Sequence, residues 1–507
     1  MSGLEFLGLL MLVVMLFAIF IGVPIAFTLL FLAMIFGYLG LGGMVFDLAY
    51  LQTIGLMKQD EFVAVPMFIL MGYICDQAGI MERLFRAFRD LFAPVRGALY
   101  LVVLLTATLF GIAAGTVGAT VALLGIMAAP MMIKSGYDAR LSAGAITAGG
   151  TLGILIPPSV MLVVMGPVLG ISVLQLYAAA FGPGFLLSAM YIAYTMGRSF
   201  LNPKLGPPVP KEERQSDYRI VLWECVVGLV PITVLTIVTL GVILAGITTS
   251  TEAAAMGAAG AILLTVSYGR FRWQGLFEAC HNTLATTSMV LFLAVASNIF
   301  GAVFARLGTA TWITNALIAL PLPAWGTISL VLTLIFLLGW PFEWPAIVLI
   351  FLPMLAPVAM LLIVLVLIFL LGWPFEWPAI ILVFLPIFYP VVAAMKVDLI
   401  WFGALTAVVL QTAFLSPPVA MSAYYLKQVV KDWSLVTIYA GMFQFMILQI
   451  ICVALLIAFP KIATWFPEQL QAAARSRVIP EAHEKILERQ RSAPSLEDDE
   501  WGSDRKK

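Results

Sequence analysis

Residues Gly149–Ser159, GGTLGILIPPS, interrupt a long apolar segment and do not read as regular helix. Gly149 and Gly150 favour leaving the helix. Pro157 and Pro158 each remove a backbone donor and disfavour helix in the residue before them. In hydrocarbon, freed backbone groups survive only where they are buried in protein or line a wet cavity. The device recurs downstream as QTAFLSPPV, Gln411–Val419.

Composition makes the surroundings of these breaks a bilayer. The 507 residues are 62% hydrophobic and 11% charged, with a mean hydropathy of +1.06. A soluble chain could not hide that much apolar surface, so an all-α polytopic membrane protein is expected. Net charge is zero, which gives no reason to expect a nucleic-acid partner. Cys75, Cys225, Cys280 and Cys452 are scattered without metal spacing and read as packing residues. The first apolar run lacks a basic leader and reads as a retained span.

Spans of about 20 apolar residues fall at 4–20, 23–39 and 63–75, with 43–61 reading as a mixed loop and 81–96 as an amphipathic stretch. A first repeat would occupy 1–196, a polar inner linker 197–219, a second repeat 220–459 and a charged tail 460–507. The second repeat holds spans near 220–244, 252–267 and 288–304, with 271–281 read as an interfacial segment. A re-entrant region at 330–391, a broken span at 399–426 and a last span at 435–459 complete it. The sum is about ten spans plus two re-entrant helical hairpins. With the N-terminus outside, the predicted inner segments hold 15 basic residues against Lys58, Arg306 and Lys396 on the outer side. That bias follows the positive-inside rule and places the tail outside.

The two breaks belong to an internal repeat. GAITAGGTLGILIPPSVM (144–161) aligns with GALTAVVLQTAFLSPPVAM (403–421), and SVLQLYAAAF (172–181) with SLVTIYAGMF (434–443). Pro130 pairs with Pro390 at a similar offset. The two copies start on opposite sides of the membrane, so the repeat is inverted. Broken helices in corresponding halves mark the binding site of many secondary transporters. A second repetition is local: VLTLIFLLGWPFEWPAI (331–347) returns as VLVLIFLLGWPFEWPAI (364–380), a 33-residue tandem copy with one difference in seventeen. Either copy, 331–358 or 364–391, fits as the second hairpin.

Segment 98–133 centres on Gly111, Gly115, Thr116, Gly118 and Thr120. It reads either as one span with a small-residue seam or as a hairpin turning at 115–120. The hairpin agrees better with the charge count. The matching tip is LGWPFEW, 338–344 or 371–377, which carries Glu343 or Glu376. A glutamate in such a run is a functional candidate or a wet residue at an interfacial turn. Thr116, Thr120, Thr151 and Ser159 form one oxygen-rich set, and Thr412 and Ser416 a second. Hard oxygens at helix ends suit Na⁺, which is the candidate coupling ion. Gly149, Gly150, Pro157, Pro158, Gln411, Pro417 and Pro418 complete the candidate site. No other cofactor is expected. His281 and His483 are far apart, and no metal motif, P-loop or nucleophile–base pair is present, so no enzyme is expected.

The run GTVGATVALLGIMAAPMMIKSGYDARLSAGAITAGGTLGILIPPSVML resembles the large membrane subunit of TRAP transporters, the DctM-like permeases. So do GVPIAF (22–27), VPMFILMGYICDQAGIMERLF (65–85) and FGALTAVVLQTAFLSPPVAMSAYYLK (402–427). The resemblance spans roughly 4–460 and implies a multi-pass protein of the bacterial inner membrane, of the inverted-repeat elevator type. It also implies Na⁺-coupled uptake of organic acids such as C4-dicarboxylates. The implied partners are a small four-span membrane subunit and a periplasmic solute-binding protein. Its cation sites would fall on 115–120, 149–159, one LGWPFEW copy and 411–418. Departures are the tandem copy and the charged tail. Rival readings are a stand-alone Na⁺- or H⁺-coupled carrier of dicarboxylate- or citrate-like anions and a non-transporting assembly subunit.

Overall fold

The computed structural model describes residues 3–21, 23–114, 117–209, 218–308, 361, 364–369, 377–385, 389, 392, 396–417 and 420–473. The described residues form helices and no strand. The first two helices are α1, Gly3–Phe20, and α2, Ile25–Leu41. Pro24 stands just before α2, where a missing N–H costs no intrahelical bond. Met44–Met57 is a third helix, α3, where the sequence reads as a loop. The stretch has no proline, and packing overrides its mixed composition. Val45 fills the notch at Gly37 of α2, where a Cβ would stand 2.5 Å from it.

Helices α4, Ala64–Gln77, and α5, Ile80–Phe92, are bent by 56° relative to each other. The bend is at Gly79, whose φ of +66° suits a residue without Cβ. Next come α6, Ala98–Ala114, and α7, Val117–Lys134. Their outer ends meet: the Leu99 N–H donates to the Tyr137 hydroxyl at 3.3 Å, and the rings of Tyr100 and Tyr137 are 4.9 Å apart. One continuous helix would separate those positions by roughly 55 Å. Segment 98–133 is therefore a hairpin, not a single span. Burial pushes the Tyr137 phenol up to about 12, so it stays protonated between the hairpin's feet.

The first broken element comprises α8, Ala139–Thr151, a tight turn at Leu152–Ile154, and α9, Val160–Leu169. Helix α10, Val173–Leu201, returns across the molecule. Helix α11, Tyr218–Thr236, runs on through a wider turn, Ile237–Gly241, to Leu244. Helix α12, Ser250–Ser267, starts with a capping box between Thr249 and Glu252. Helix α13, Trp273–Arg306, is continuous. Of the segment 271–281, expected at the interface, residues 273–281 are the first turns of this helix, since no proline separates them from the span. The second broken element is α14, Leu399–Ala413, with α15, Met421–Val429, followed by α16, Leu435–Ala458. Residues 461–473 form a further helix, α17, so the tail begins as packed structure. Its Phe466 meets Phe181 edge-on, 5.8 Å between ring centres.

Six described helices are long and apolar enough to cross a membrane, and the bent pair α4–α5 makes a seventh. Several others, α14 among them, are apolar but shorter. The helices pack in two groups. An outer group joins α1–α5 to α11–α13: α12 lies on α4, α11 on α5, and α13 on α2 and α3. An inner group joins α6–α10 to α14–α16: α8 packs on α16, and α10 on α14. Helices α8 and α14 run in opposite senses along α10. Asp138, at the start of α8, donates its N–H to the Leu205 carbonyl just past the end of α10. Gly403, near the start of α14, faces Leu176 at the beginning of α10. Both helices start with an aspartate whose carboxylate accepts backbone N–H groups, Asp138 from Leu141 and Asp398 from Ile400 and Trp401.

The basic segments gather at one end. Val209 donates to Ala93, and Gly97 to Gly206. Arg270 pairs with Glu82 at 3.3 Å. This is the one-sided charge that orients a membrane protein. Helices α8 and α16 approach so closely that a Cβ on Gly144 would lie 2.7 Å from the Gly441 carbonyl. A Cβ on Gly441 would run into the Arg140 carbonyl. Gly441→Val should therefore cost about 1–3 kcal/mol by overpacking, seen as a lower melting temperature in detergent. Gly301→Val, where nothing lies within 4 Å, should leave melting near that of the native chain.

Candidate functional site

The first break satisfies its backbone locally. The N–H groups of Leu155 and Ile156 both donate to the Leu152 carbonyl, at 3.0 and 2.9 Å. The Ser159 hydroxyl donates to Ile154 at 2.5 Å and the Thr151 hydroxyl to Ala148 at 2.8 Å. Pro157 and Pro158 have no N–H to place, so the double proline reduces the number of orphan donors in the gap. The second break follows the same plan. Leu415 and Ser416 donate to the Thr412 carbonyl at 3.0 Å. The Thr412 hydroxyl donates to Val409 at 2.5 Å, and the Ser416 hydroxyl to Ala413 at 3.3 Å. Pro417 follows and is exposed. Each hydroxyl spends its proton on a carbonyl and keeps its oxygen as an acceptor.

The two breaks touch. The Gln411 side-chain amide donates to the Thr151 hydroxyl oxygen at 2.9 Å, and both residues are fully buried. They sit 260 positions apart, the offset of the repeat, so equivalent positions of the two halves are in direct contact. The other amide atom, Gln411 Oε1, is buried without a hydrogen-bond partner among the described residues.

The α6–α7 hairpin leans directly on the first break. A Cβ on Gly111 of α6 would stand 2.7 Å from the Cα of Gly153. A Cβ on Gly150 would collide with Val121 of α7. Glycine at 111, 150 and 153 is what allows backbone to meet backbone here. Thr120 is buried on α7, and a Cβ on Gly118 would stand 3.1 Å from the Tyr425 ring.

A cavity of about 200 Å³ lies between these elements and the outer helix group. Val117 and Gly118 bring the first hairpin to it, Ile154 and Val160 the first break, and Phe414, Met421 and Tyr425 the second. Trp377 and Pro378, from the second tandem copy, also line it. Across from them stand Ile69 of α4 and Thr286, Met289 and Val290 of α13. The structure thus brings Gly118, Thr120, Gly149, Gly150, Thr151, Pro157, Pro158, Ser159, Gln411, Thr412, Ser416 and Pro417 into one neighbourhood. Gly115, Thr116, Glu343, Glu376 and Pro418 lie outside the described residues. Phe414, Tyr425 and Thr286 were not anticipated. Phe414 and Tyr425 flank the PP motif, which was the available signal. Thr286 sits in an unbroken helix, which gives none. Among the described residues, no group of three or more His, Cys, Asp or Glu residues is placed to hold a metal ion.

The sequence matches the family described as "Tripartite ATP-independent periplasmic transporter, DctM component" over residues 11–362 and 358–462. The chain belongs to this family. The two matched segments overlap at 358–362, between the tandem copies. The sialic acid TRAP transporter large permease protein SiaM of Vibrio cholerae is 28% identical over 89% of this chain and 96% of its own length. The C4-dicarboxylate TRAP transporter large permease protein DctM of Pseudomonas aeruginosa is 32% identical over 59% of this chain and 68% of its own. The fold resembles the YdaH transporter of Alcanivorax borkumensis, with a TM-score of 0.52 at 14% identity, covering 82% of this chain and 87% of that one. This chain is a TRAP permease subunit of the bacterial inner membrane.

Two outcomes follow from the cavity lining. Trp377→Ala should lower uptake at least tenfold in proteoliposomes, an order-of-magnitude expectation for a lost pocket aromatic. Gln411→Leu removes the link between the breaks and should cost about 1 kcal/mol of stability, read as a melting shift of the purified chain.

Proposed function

We propose that this permease imports small organic acids together with Na⁺, driven by the inward Na⁺ gradient, moving its inner helix group as an elevator against the outer group. The observation that carries the reading is the meeting of both broken helices, the first hairpin and the second tandem copy around one cavity. Broken helices free carbonyls and expose helix-end dipoles, the arrangement that binds ions and solutes in inverted-repeat transporters.

Na⁺ fits the donor set. The described side chains are hydroxyls and an amide, which are hard, neutral oxygens. Gln411 Oε1 is buried with its lone pairs unspent. Thr120, Thr151 and Ser159 would serve a first ion with Thr116, and Gln411, Thr412 and Ser416 a second. The substrate class follows from the relatives. Their names give sialic acid, C4-dicarboxylate and isethionate as cargo, and these share an acidic group. A small four-span membrane subunit and a periplasmic binding protein complete the system on this reading, the binding protein doing most of the selection.

The test needs no known substrate. Melting of the purified chain is followed as Na⁺ replaces choline at constant ionic strength. A ligand that binds only the folded state adds about 2.7 kcal/mol at a hundredfold excess over its Kd. A saturable, Na⁺-specific rise is expected, and Ser159→Ala or Thr412→Val should weaken it at least fivefold. Melting that responds equally to Na⁺ and choline would sink the Na⁺ reading.

A further inference from the structure

Away from the central cavity, three arginines converge at the basic end of the outer group. Arg83 and Arg86 of α5 and Arg270, in the turn after α12, line an open cavity of about 390 Å³ with Trp223, Glu224 and Val227 of α11. The elements come from distant parts of the chain, so the cluster is a product of the fold. Helix α5 buries Ile80, Met81, Leu84, Phe85 and Phe88 and turns its arginines outward. Gly79 adds room: a Cβ there would strike the Arg270 guanidinium.

The described residues position the arginines without neutralising all three. Arg270 shares the Glu82 carboxylate, 3.3 Å from both terminal nitrogens, with each side chain about two-fifths exposed. Arg83 lies 4.3 Å above the Tyr268 ring. Arg86 reaches the Glu82 backbone carbonyl at 3.4 Å. Among the described residues, Arg83 and Arg86 form no ion pair. Among the described residues lining the cavity, three guanidinium groups therefore face two carboxylates, Glu82 by its pairing and Glu224 by the lining. Trp223 and Trp273 are largely exposed and Tyr268 half-buried at the same end. Aromatic rings at a helix end beside arginines mark headgroup depth. The guanidinium fork matches phosphate oxygens.

We propose that the Arg83–Arg86–Arg270 cavity binds the phosphate of an anionic phospholipid in the inner leaflet. The phosphate bridges α5 to the α12–α13 turn, and the acyl chains lie along the exposed apolar side of α11 at Trp223 and Val226. One lipid so placed fastens the bent α4–α5 pair to the rest of the outer group.

The full chain is purified and placed in phosphatidylcholine nanodiscs, and phosphatidylglycerol is titrated in at constant total lipid. Melting and native mass spectrometry are the readouts. A saturable rise in melting temperature with one retained phosphatidylglycerol per chain is expected. Arg83→Gln with Arg86→Gln should raise the half-saturating lipid fraction at least fivefold. Arg96→Gln with Lys204→Gln removes the same charge from exposed positions at that end and should leave it within twofold. Should the glutamine pair fail to fold, Arg83→Lys with Arg86→Lys keeps the charge and loses the fork, with a shift of at least twofold expected. Equal shifts in the cavity and control pairs, or no dependence on phosphatidylglycerol, overturn the proposal. An equal rise with millimolar inorganic phosphate in phosphatidylcholine alone overturns the lipid as the source of the phosphate.

Discussion

The contact on which the inner group turns is the hydrogen bond from the Gln411 amide to the Thr151 hydroxyl. Each helix break alone is a liability in hydrocarbon, because it frees backbone groups that lipid cannot satisfy. Each break settles most of its own account through hydroxyls and tight turns. Joining the two breaks then holds Thr151 and Gln411, both fully buried, against each other inside protein. The helices around them fall into position accordingly, with α8 against α16 and α10 against α14. Each half thus closes its gap with elements of the other.

Glycine makes that exchange possible. Gly144 and Gly441 let α8 and α16 touch at the backbone, and Gly111 and Gly153 do the same for the hairpin and the first turn. In a bilayer, close van der Waals approach replaces the hydrophobic drive that assembles soluble cores. The outer group uses the same economy at Gly37 and Gly257, where Val45 and Met71 sit in the notches.

Much of this was legible in the residues. Paired prolines located both breaks, with glycines beside the first, the offset of the repeat linked the two, and the charge count favoured a hairpin at 98–133 over a single span. The hydrogen bond from Leu99 to Tyr137 settles that choice. Other features left no readable trace. Helix α3 was taken for a loop because its mixed side chains show no clean period, and contacts with α2 and α13 decide it. Helix α13 was divided because Arg272, Trp273 and His281 resemble an interface. Hydrophobic patterning cannot say that a helix overshoots the bilayer. Thr286 is invisible as a cavity residue, since a wall shared by distant elements is a property of packing. The tandem copies are identical over the LGWPFEW motif, so the residues alone do not distinguish them; Trp377 and Pro378 of the second copy line the cavity.

The pairing of α8 with α16 also bears on how the chain is made. Arg140 and Gly441, which meet at the backbone, are about 300 residues apart in sequence. At ribosomal rates of about 5–20 residues per second, that interval takes roughly 15–60 s. During it the first half sits in the membrane with the groove at Gly144 open to lipid and Thr151 without its amide. The nascent half is thus a client for whatever shields polar helix breaks at the insertion site. Release from that site must wait until α16 emerges.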